Sequence, residues 1–360
     1  MVSAAFAWLA SRAKDRMTAF VCSAASVLVL CVLGGLRDWT IGTDTRLYGV
    51  LDYTKAAQSV DFADYTSRSG HESGWLMITY MCCKFLGHFN WALFFYQLIT
   101  ISCFYIGAYK HRKTVSLPFL LLIFCLMEYN DSYNMMRQMI SAAIIFMGLD
   151  CIETKQYFKF SLYIIAGYFF HKSSLIGFPL LIGFHMLATS EKVTYSRKYK
   201  AVFAAVMVFV LMSVKPAASL YADVVAGASY YQHYENRYSD MFVPTTPVLL
   251  MAIQFLVMAF YRRNAEKIIL PAGGSGVNFH MFMFLFCIIY RVAVRFVSTR
   301  VLVYYDFVSM LSMAALPRCI KNRYLRFMLF AGILSALTFY WYRFYIRGNY
   351  AQTYPYKSIL

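Results

Sequence analysis

Five short polar groups interrupt an otherwise apolar chain, and their residue types suit the handling of a phosphorylated substrate. The first is Gly42-Thr43-Asp44-Thr45-Arg46-Leu47-Tyr48, which offers a carboxylate and a guanidinium at a substrate entrance. Thr43 or Asp44 could equally cap a short helix running through Tyr53. The second is His71-Glu72-Ser73-Gly74-Trp75. Glu72 there is a candidate base or a partner for a cation, while Trp75 as an interfacial anchor and Ser73 as a cap account for its neighbours.

The third group, Asn134-Met135-Met136-Arg137-Gln138, opens an apolar run. A cation at the positive end of a helix needs an anion. Glu128 and Asp131 are structural candidates, and a ligand phosphate is the favoured one because a planar guanidinium fork binds phosphate bidentately. The fourth, Phe170-His171-Lys172-Ser173-Ser174, places a histidine in a tight turn, as a proton acceptor near neutral pH or as an interfacial side chain. The fifth is Arg291, Arg295 and Arg300, followed by Tyr304 and Tyr305. Arg291 and Arg295 are one helical turn apart and share a face. Snorkelling to lipid head groups accounts for one arginine readily and for three less well. Between the last two groups, Tyr221, Tyr230, Tyr231, Tyr234 and Tyr238 stand beside Gln232, His233, Glu235, Asn236 and Arg237. Aromatic faces next to amides suit a sugar-binding cleft, although an interfacial belt is also rich in tyrosine.

The elements that position these groups are membrane helices. Of the 360 residues, 60% are apolar, 19% aromatic and only 14% charged, and the mean hydropathy is +0.53. A soluble protein has about 25% charged residues. Disorder, collagen-like repeats and small disulfide scaffolds are excluded on the same composition. The net charge of +17 would suggest nucleic acid in a soluble protein. Here most of the basic residues lie in short clusters between apolar runs, where they set membrane orientation, and nucleic acid is not expected as a partner.

A spanning helix needs about 20 largely apolar residues. Eleven spans are predicted, at 17–35, 90–109, 115–128, 134–151, 157–170, 173–189, 199–215, 246–262, 277–296, 300–317 and 325–344. The expected fold is an all-α polytopic transmembrane helix bundle over residues 1–360, a single integral membrane domain. The N-terminal order, an interrupted apolar stretch and then a basic run, resembles a signal anchor that stays in place. The apolar part of 74–87 is too short for an ordinary span and reads as a re-entrant or interfacial helix. Orientation agrees: with residues 11–16 in the cytoplasm and 74–87 not crossing, more than half of the 34 basic residues fall in short inner loops. The two long loops, 36–73 and 216–245, are then outside, as are most of the acidic residues and all five polar groups. No cysteine lies in a long outer loop, so no disulfide framework is implied. No Cys or His pair has metal-site spacing, and Gly273-Gly274-Ser275-Gly276 lacks the Lys-Ser/Thr of a phosphate loop.

The order Gly42-Thr43-Asp44-Thr45…Tyr48, then Glu72-Ser73-Gly74, then Arg137-Gln138, then Phe170-His171-Lys172-Ser173 resembles the EpsG branch of Wzy-type polysaccharide (O-antigen) polymerases. Arg300 through Tyr304 is similar to that family's C-terminal Arg/Tyr element, and the resemblance covers roughly residues 36–310. It implies a GT-C-like membrane glycosyltransferase architecture in a bacterial cytoplasmic (inner) membrane, with the active site facing the periplasm. The enzyme would transfer a growing glycan from undecaprenyl diphosphate to a lipid-linked oligosaccharide repeat unit, without a cofactor or metal and with a Wzz-type chain-length regulator as a possible partner. Arg137, with one or more of Arg291, Arg295 and Arg300, would hold the diphosphate. His171 or Glu72 would remove the acceptor proton. Asp44 and Arg46 would orient the sugar or each other, Gln138 would bond to the substrate, and Tyr48 and Tyr304 would line the site. An O-antigen ligase, or a flippase moving lipid-linked oligosaccharide, are the alternatives. A flippase would need polar residues through the midplane, whereas here the charges crowd one face.

Overall fold

The computed structural model describes residues 1–188, 245–261 and 302–360, with single positions or pairs at 201, 263–264, 280–281, 284–285 and 288. Every regular element among the described residues is helical, and the one β-bridge joins Arg37 to Ser358. Nine of the eleven predicted spans fall on helices. The first is α2 (Arg16–Gly35), the next α6 (Phe89–Lys110) and α7 (Leu117–Met127). The predicted 134–151 is two helices, α8 (Met136–Met147) and α9 (Leu149–Glu153), which meet at Gly148. Then come α10 (Tyr157–Tyr168), α11 (Gly177–Ala188), α12 (Thr245–Phe260), α13 (Val303–Cys319) and α14 (Arg323–Trp341). Among the described residues three helices, Arg16–Gly35, Phe89–Lys110 and Arg323–Arg347, are long and apolar enough to cross a membrane by themselves. The predicted span 199–215 and nearly all of 277–296 lie outside the described residues, as does the loop 216–245 up to its last residue.

Two features depart from the sequence expectation. The N-terminal stretch forms its own helix, α1 (Val2–Arg12), which folds back on α2. Small residues at that seam let the backbones approach: Ser3 Oγ donates to Ser26 O at 2.6 Å, and Ser26 Oγ returns a bond to Ser3 O at 2.8 Å. The loop 36–73 holds more helix than the one short helix offered by the sequence through Tyr53. It carries a π-helical turn (Thr45–Gly49) running into α3 (Val50–Gln58), and then α4 (Phe62–Ser67).

The polarity of the bundle is that of a protein in lipid. α13 is buried at every position except Arg318 and forms its axis. An apolar helix with no exposed face must be surrounded by others. Phe104, Phe124, Phe146 and Phe307 lock α6, α7, α8 and α13 together, with Phe104 stacked 4.2 Å from Phe124 and Phe307 edge-on to all three. The outer surfaces of α2, α10 and α14 carry exposed Phe20, Phe158 and Phe327. Apolar surface on this scale has no place in water.

The two ends differ in charge. Asn90 Nδ2 donates to the carbonyls of Gly35 and Arg37, and Tyr105 bonds Ser23, so α2 and α6 run antiparallel. At the far end Lys110 pairs with Asp150 at 2.8 Å, His111 meets Glu153, and Arg318 donates to Lys113 O. That end gathers the basic clusters. The opposite end holds the polar groups of the first four motifs. α5 (Ser73–Met81) and its π-helical extension (Cys82–Leu86) both start and finish there, so 74–87 does not run the length of the bundle. The C-terminal tail returns to the same end: Asp38 N donates to Lys357 O, Gly42 N to Gln352 O, and Asn134 Nδ2 to Ala351 O. No sequence signal pointed to this tail.

Phe104→Ala is expected to lower stability by about 3–5 kcal/mol, the cost of a large cavity in a packed core. Phe327→Ala, on the lipid-facing surface, is expected to change it by less than about 0.5 kcal/mol. Thermal unfolding in detergent checks both. Equal effects would mean that the aromatic cluster is not the core.

Candidate functional site

The loop before α3 is latched onto the segment before α8. Gly42 has φ of 89°, and a Cβ there would lie 2.7 Å from Tyr133 O, so glycine is required twice over. Thr43 N–H and Oγ1 both donate to Asn134 Oδ1, at 2.5 and 2.9 Å. The latch brings the turn that carries Asp44 and Tyr48 against the start of α8, with the Tyr48 ring at Arg137. Asp44 occupies the cap position of the following turn, but its side chain does not cap: it accepts the Tyr48 hydroxyl at 2.9 Å. Arg46 is exposed on the outside of the turn, with no ion pair among the described residues.

Gly74 makes the second junction. Its N–H donates to Phe169 O at 2.8 Å, and an added Cβ would meet that same oxygen at 2.7 Å. This close approach sets Glu72 against the turn after α10. Ser73 is the first helical residue of α5, and Glu72 stands at the cap position without capping. Instead Glu72 Oε2 accepts from Arg137 Nη1 at 2.5 Å, and Oε1 accepts from the Lys172 N–H at 3.3 Å. The carboxylate at Arg137 is thus Glu72, 65 positions away in sequence. Arg137 also lies over the Tyr48 ring, 4.8 Å from its centre, and its buried Nε makes no hydrogen bond. Burial pushes the Glu72 carboxyl up, but the Arg137 charge, the hydrogen bonds to the carboxylate and the nearby His171 together outweigh it and hold the group below the ordinary carboxylate value of 4.5.

His171 caps the 3-10 turn Lys172–Ile176, accepting the Ser173 N–H at Nδ1 (3.2 Å). The same Nδ1 is 2.5 Å from Ser173 Oγ, which meets Tyr304 OH at 2.8 Å. Tyr304 donates onward to Ser141 Oγ at 3.0 Å. The start of the axial helix α13 is thereby tied to the site. Gln138 is buried one residue past Arg137. The structure therefore gathers Asp44, Tyr48, Glu72, Arg137, His171 and Tyr304 at one end of the bundle. Arg291, Arg295, Arg300 and the Tyr221–Tyr238 cluster lie outside the described residues.

One residue of the site was missed. Asp52, 1% exposed, accepts from His71 Nδ1 at 2.6 Å, from Trp75 Nε1 at 2.8 Å and from Ser69 Oγ at 3.1 Å. Burial raises its carboxyl, and these three donors more than reverse that, leaving it below the usual value. Nothing local marks it, because its partners are 17 to 23 positions ahead. Trp75 stacks on Tyr96 at 3.8 Å, and the Tyr48 ring lies 5.2 Å from His71 and 5.5 Å from Trp75. Among the described residues no group of three or more His, Cys, Asp or Glu side chains is placed to hold a metal.

These residues fall within a longer match: the model of the EpsG family covers residues 20–358. The chain belongs to the EpsG family. No curated protein and no solved structure matches it significantly. EpsG-family membership makes it a membrane protein of the polysaccharide-polymerase kind, which agrees with the apolar helices. The latched loop, the Glu72–Arg137 pair and the His171 turn all lie inside the matched region.

Glu72→Gln and Arg137→Gln should each destabilise the fold by roughly 3 kcal/mol, because each leaves a partly buried partner uncompensated. The double variant should recover more than about 1 kcal/mol of the summed loss. Strict additivity would mean that the pair contributes nothing. The Glu72 contribution is present above the ordinary carboxylate pKa and is lost as pH falls through the depressed folded value. Glu72→Gln should therefore flatten the acid limb of a stability–pH profile.

Proposed function

We propose that this protein is a polysaccharide polymerase. It transfers a growing glycan from undecaprenyl diphosphate to the non-reducing end of a second lipid-linked repeat unit, at the periplasmic face of a bacterial inner membrane. The observation that carries this reading is Arg137. It is a mostly buried guanidinium at the start of a helix, positioned by Glu72 and Tyr48 and retaining N–H groups for another anion. A diphosphate supplies that anion, and the arginine stabilises the negative charge that develops on the leaving group. Arg291, Arg295 and Arg300 are proposed to extend the same site. Asp44, Arg46 and Gln138 are proposed to orient sugar hydroxyls, with Tyr48 and Tyr304 lining the cleft. The positive-inside distribution of the basic end supports the periplasmic placement.

The polar groups of the candidate site gather at one end, and the described midsection is closed by Phe104, Phe124, Phe146 and Phe307. This favours an enzyme over a carrier that moves lipid-linked oligosaccharide between leaflets. The outer acceptor is proposed to be another repeat unit rather than lipid A-core, on the order of the family motifs. A chain-length regulator is the proposed protein partner.

The test is conversion of synthetic undecaprenyl-diphosphate repeat units by purified protein in nanodiscs with chelator present. A product ladder is expected from the wild type. Arg137→Ala should reduce it by about 10²–10³-fold or more, as removal of a charge-stabilising donor does, and Arg137→Lys should restore part of it. Transfer of labelled lipid between leaflets without any ladder would replace this reading with a transporter.

A further inference from the structure

The site holds two histidines in opposite hydrogen-bonding states. A carboxylate only accepts, so the 2.6 Å contact between Asp52 Oδ2 and His71 Nδ1 requires the proton on Nδ1. The neutral ring then carries its lone pair on Nε2. That nitrogen makes no hydrogen bond among the described residues, and the side chain is 25% exposed. At His171 the assignment reverses. Its Nδ1 accepts the Ser173 backbone N–H, which is always a donor, so the neutral ring carries its proton on Nε2. His71 adjoins Glu72 in the chain, and its ring lies 5.2 Å from the Tyr48 ring that underlies Arg137. His171 lies beside Glu72 from the other side, through the Lys172 N–H.

We propose that His71, oriented by the buried Asp52, is the proton acceptor for the attacking sugar hydroxyl. This rests on the polymerase reading and deepens it by naming the base. The acceptor O–H proton passes to His71 Nε2 as the oxygen lone pair forms a bond to the anomeric carbon. The bond from that carbon to the diphosphate oxygen breaks, and its electron pair stays on the oxygen, which Arg137 stabilises. His71 then releases its proton to water. No oxidant or further reactant is needed. Asp52 acts through His71 and is a positioning residue: it fixes the tautomer and ring orientation, and Trp75 Nε1 and Ser69 Oγ fix Asp52 in turn. Glu72, ionised and committed to Arg137, is left as that arginine's partner.

The experiment uses the full chain in nanodiscs, labelled with ¹⁵N-histidine, and the synthetic repeat unit. His71→Gln should lower turnover by about 10²–10⁴-fold, the range for loss of a general base, with repeat-unit binding unchanged. Asp52→Asn keeps the shape but turns an amide N–H toward Nδ1, and it should lose turnover comparably without a change in binding. Asp52 from α3 and Tyr48 from the π turn face His71. A wild-type ladder that persists at full rate in His71→Gln overturns the inference and leaves the polymerase intact. A folded wild type that makes no ladder overturns the polymerase reading instead. The ¹⁵N shifts then still decide the geometry, since an Nε2–H tautomer at His71 would overturn the assignment at any turnover.

Discussion

The contact between Glu72 and Arg137 joins the two halves of the site, and most of the surrounding geometry exists to permit it. Each residue lies at the beginning of a helix, and the two are far apart in sequence. Gly74 allows α5 to approach the turn after α10, which places Glu72. Gly42 and the Thr43–Asn134 latch bring the Tyr48 ring beneath the guanidinium. Arg137 is thereby desolvated on one face, paired on another and left with donor capacity. A fully paired arginine would have little to offer an anionic substrate, and an unpaired one would be too costly to bury.

The remainder of the chain separates two environments. An apolar exterior and an axial helix without an exposed face suit hydrocarbon, where unsatisfied polar groups are expensive. Chemistry on a charged, hydroxyl-rich substrate belongs at one end of such a bundle, and that is where Asp44, Tyr48, Asp52, Glu72 and Trp75 gather. The short helices α3, α4 and α5 with their π turns form a shelf there. Exposed Leu47, Leu51, Met77 and Phe85 on this shelf suit the boundary between water and acyl chains. The C-terminal tail holds the edge of the shelf through backbone bonds at Leu36, Asp38 and Gly42.

Much of this was legible in the sequence because membranes impose coarse rules. Long apolar runs gave α2, α6 and α14 nearly to the residue, and the clustering of basic residues separated the ends. The Asp44, Glu72, Arg137 and His171 motifs converge in space as their shared sidedness required. What the sequence withheld depends on long-range contact. Asp52 has no local mark, since its meaning comes from His71 and Trp75. The partner of Arg137 was sought nearby, at Glu128 and Asp131, because local spacing cannot point across 65 positions. α1 was overlooked because its apolar run is too short to span alone. Of the two readings of Asp44, a helix cap and a carboxylate at the entrance, the cap is not made, because the Tyr48 hydroxyl one turn later takes the carboxylate.

The central claim is that the anionic group of the substrate is held at Arg137 on the Glu72 side of the bundle. An electron cryomicroscopy structure of the nanodisc-embedded protein with undecaprenyl diphosphate bound tests it most directly. The account predicts diphosphate density in hydrogen-bond contact with the Arg137 guanidinium, with the lipid chain leaving between the apolar helices. Diphosphate bound at the opposite end, against Lys110, Arg318 or Arg326, with Arg137 contacting only Glu72 and Tyr48, would contradict it.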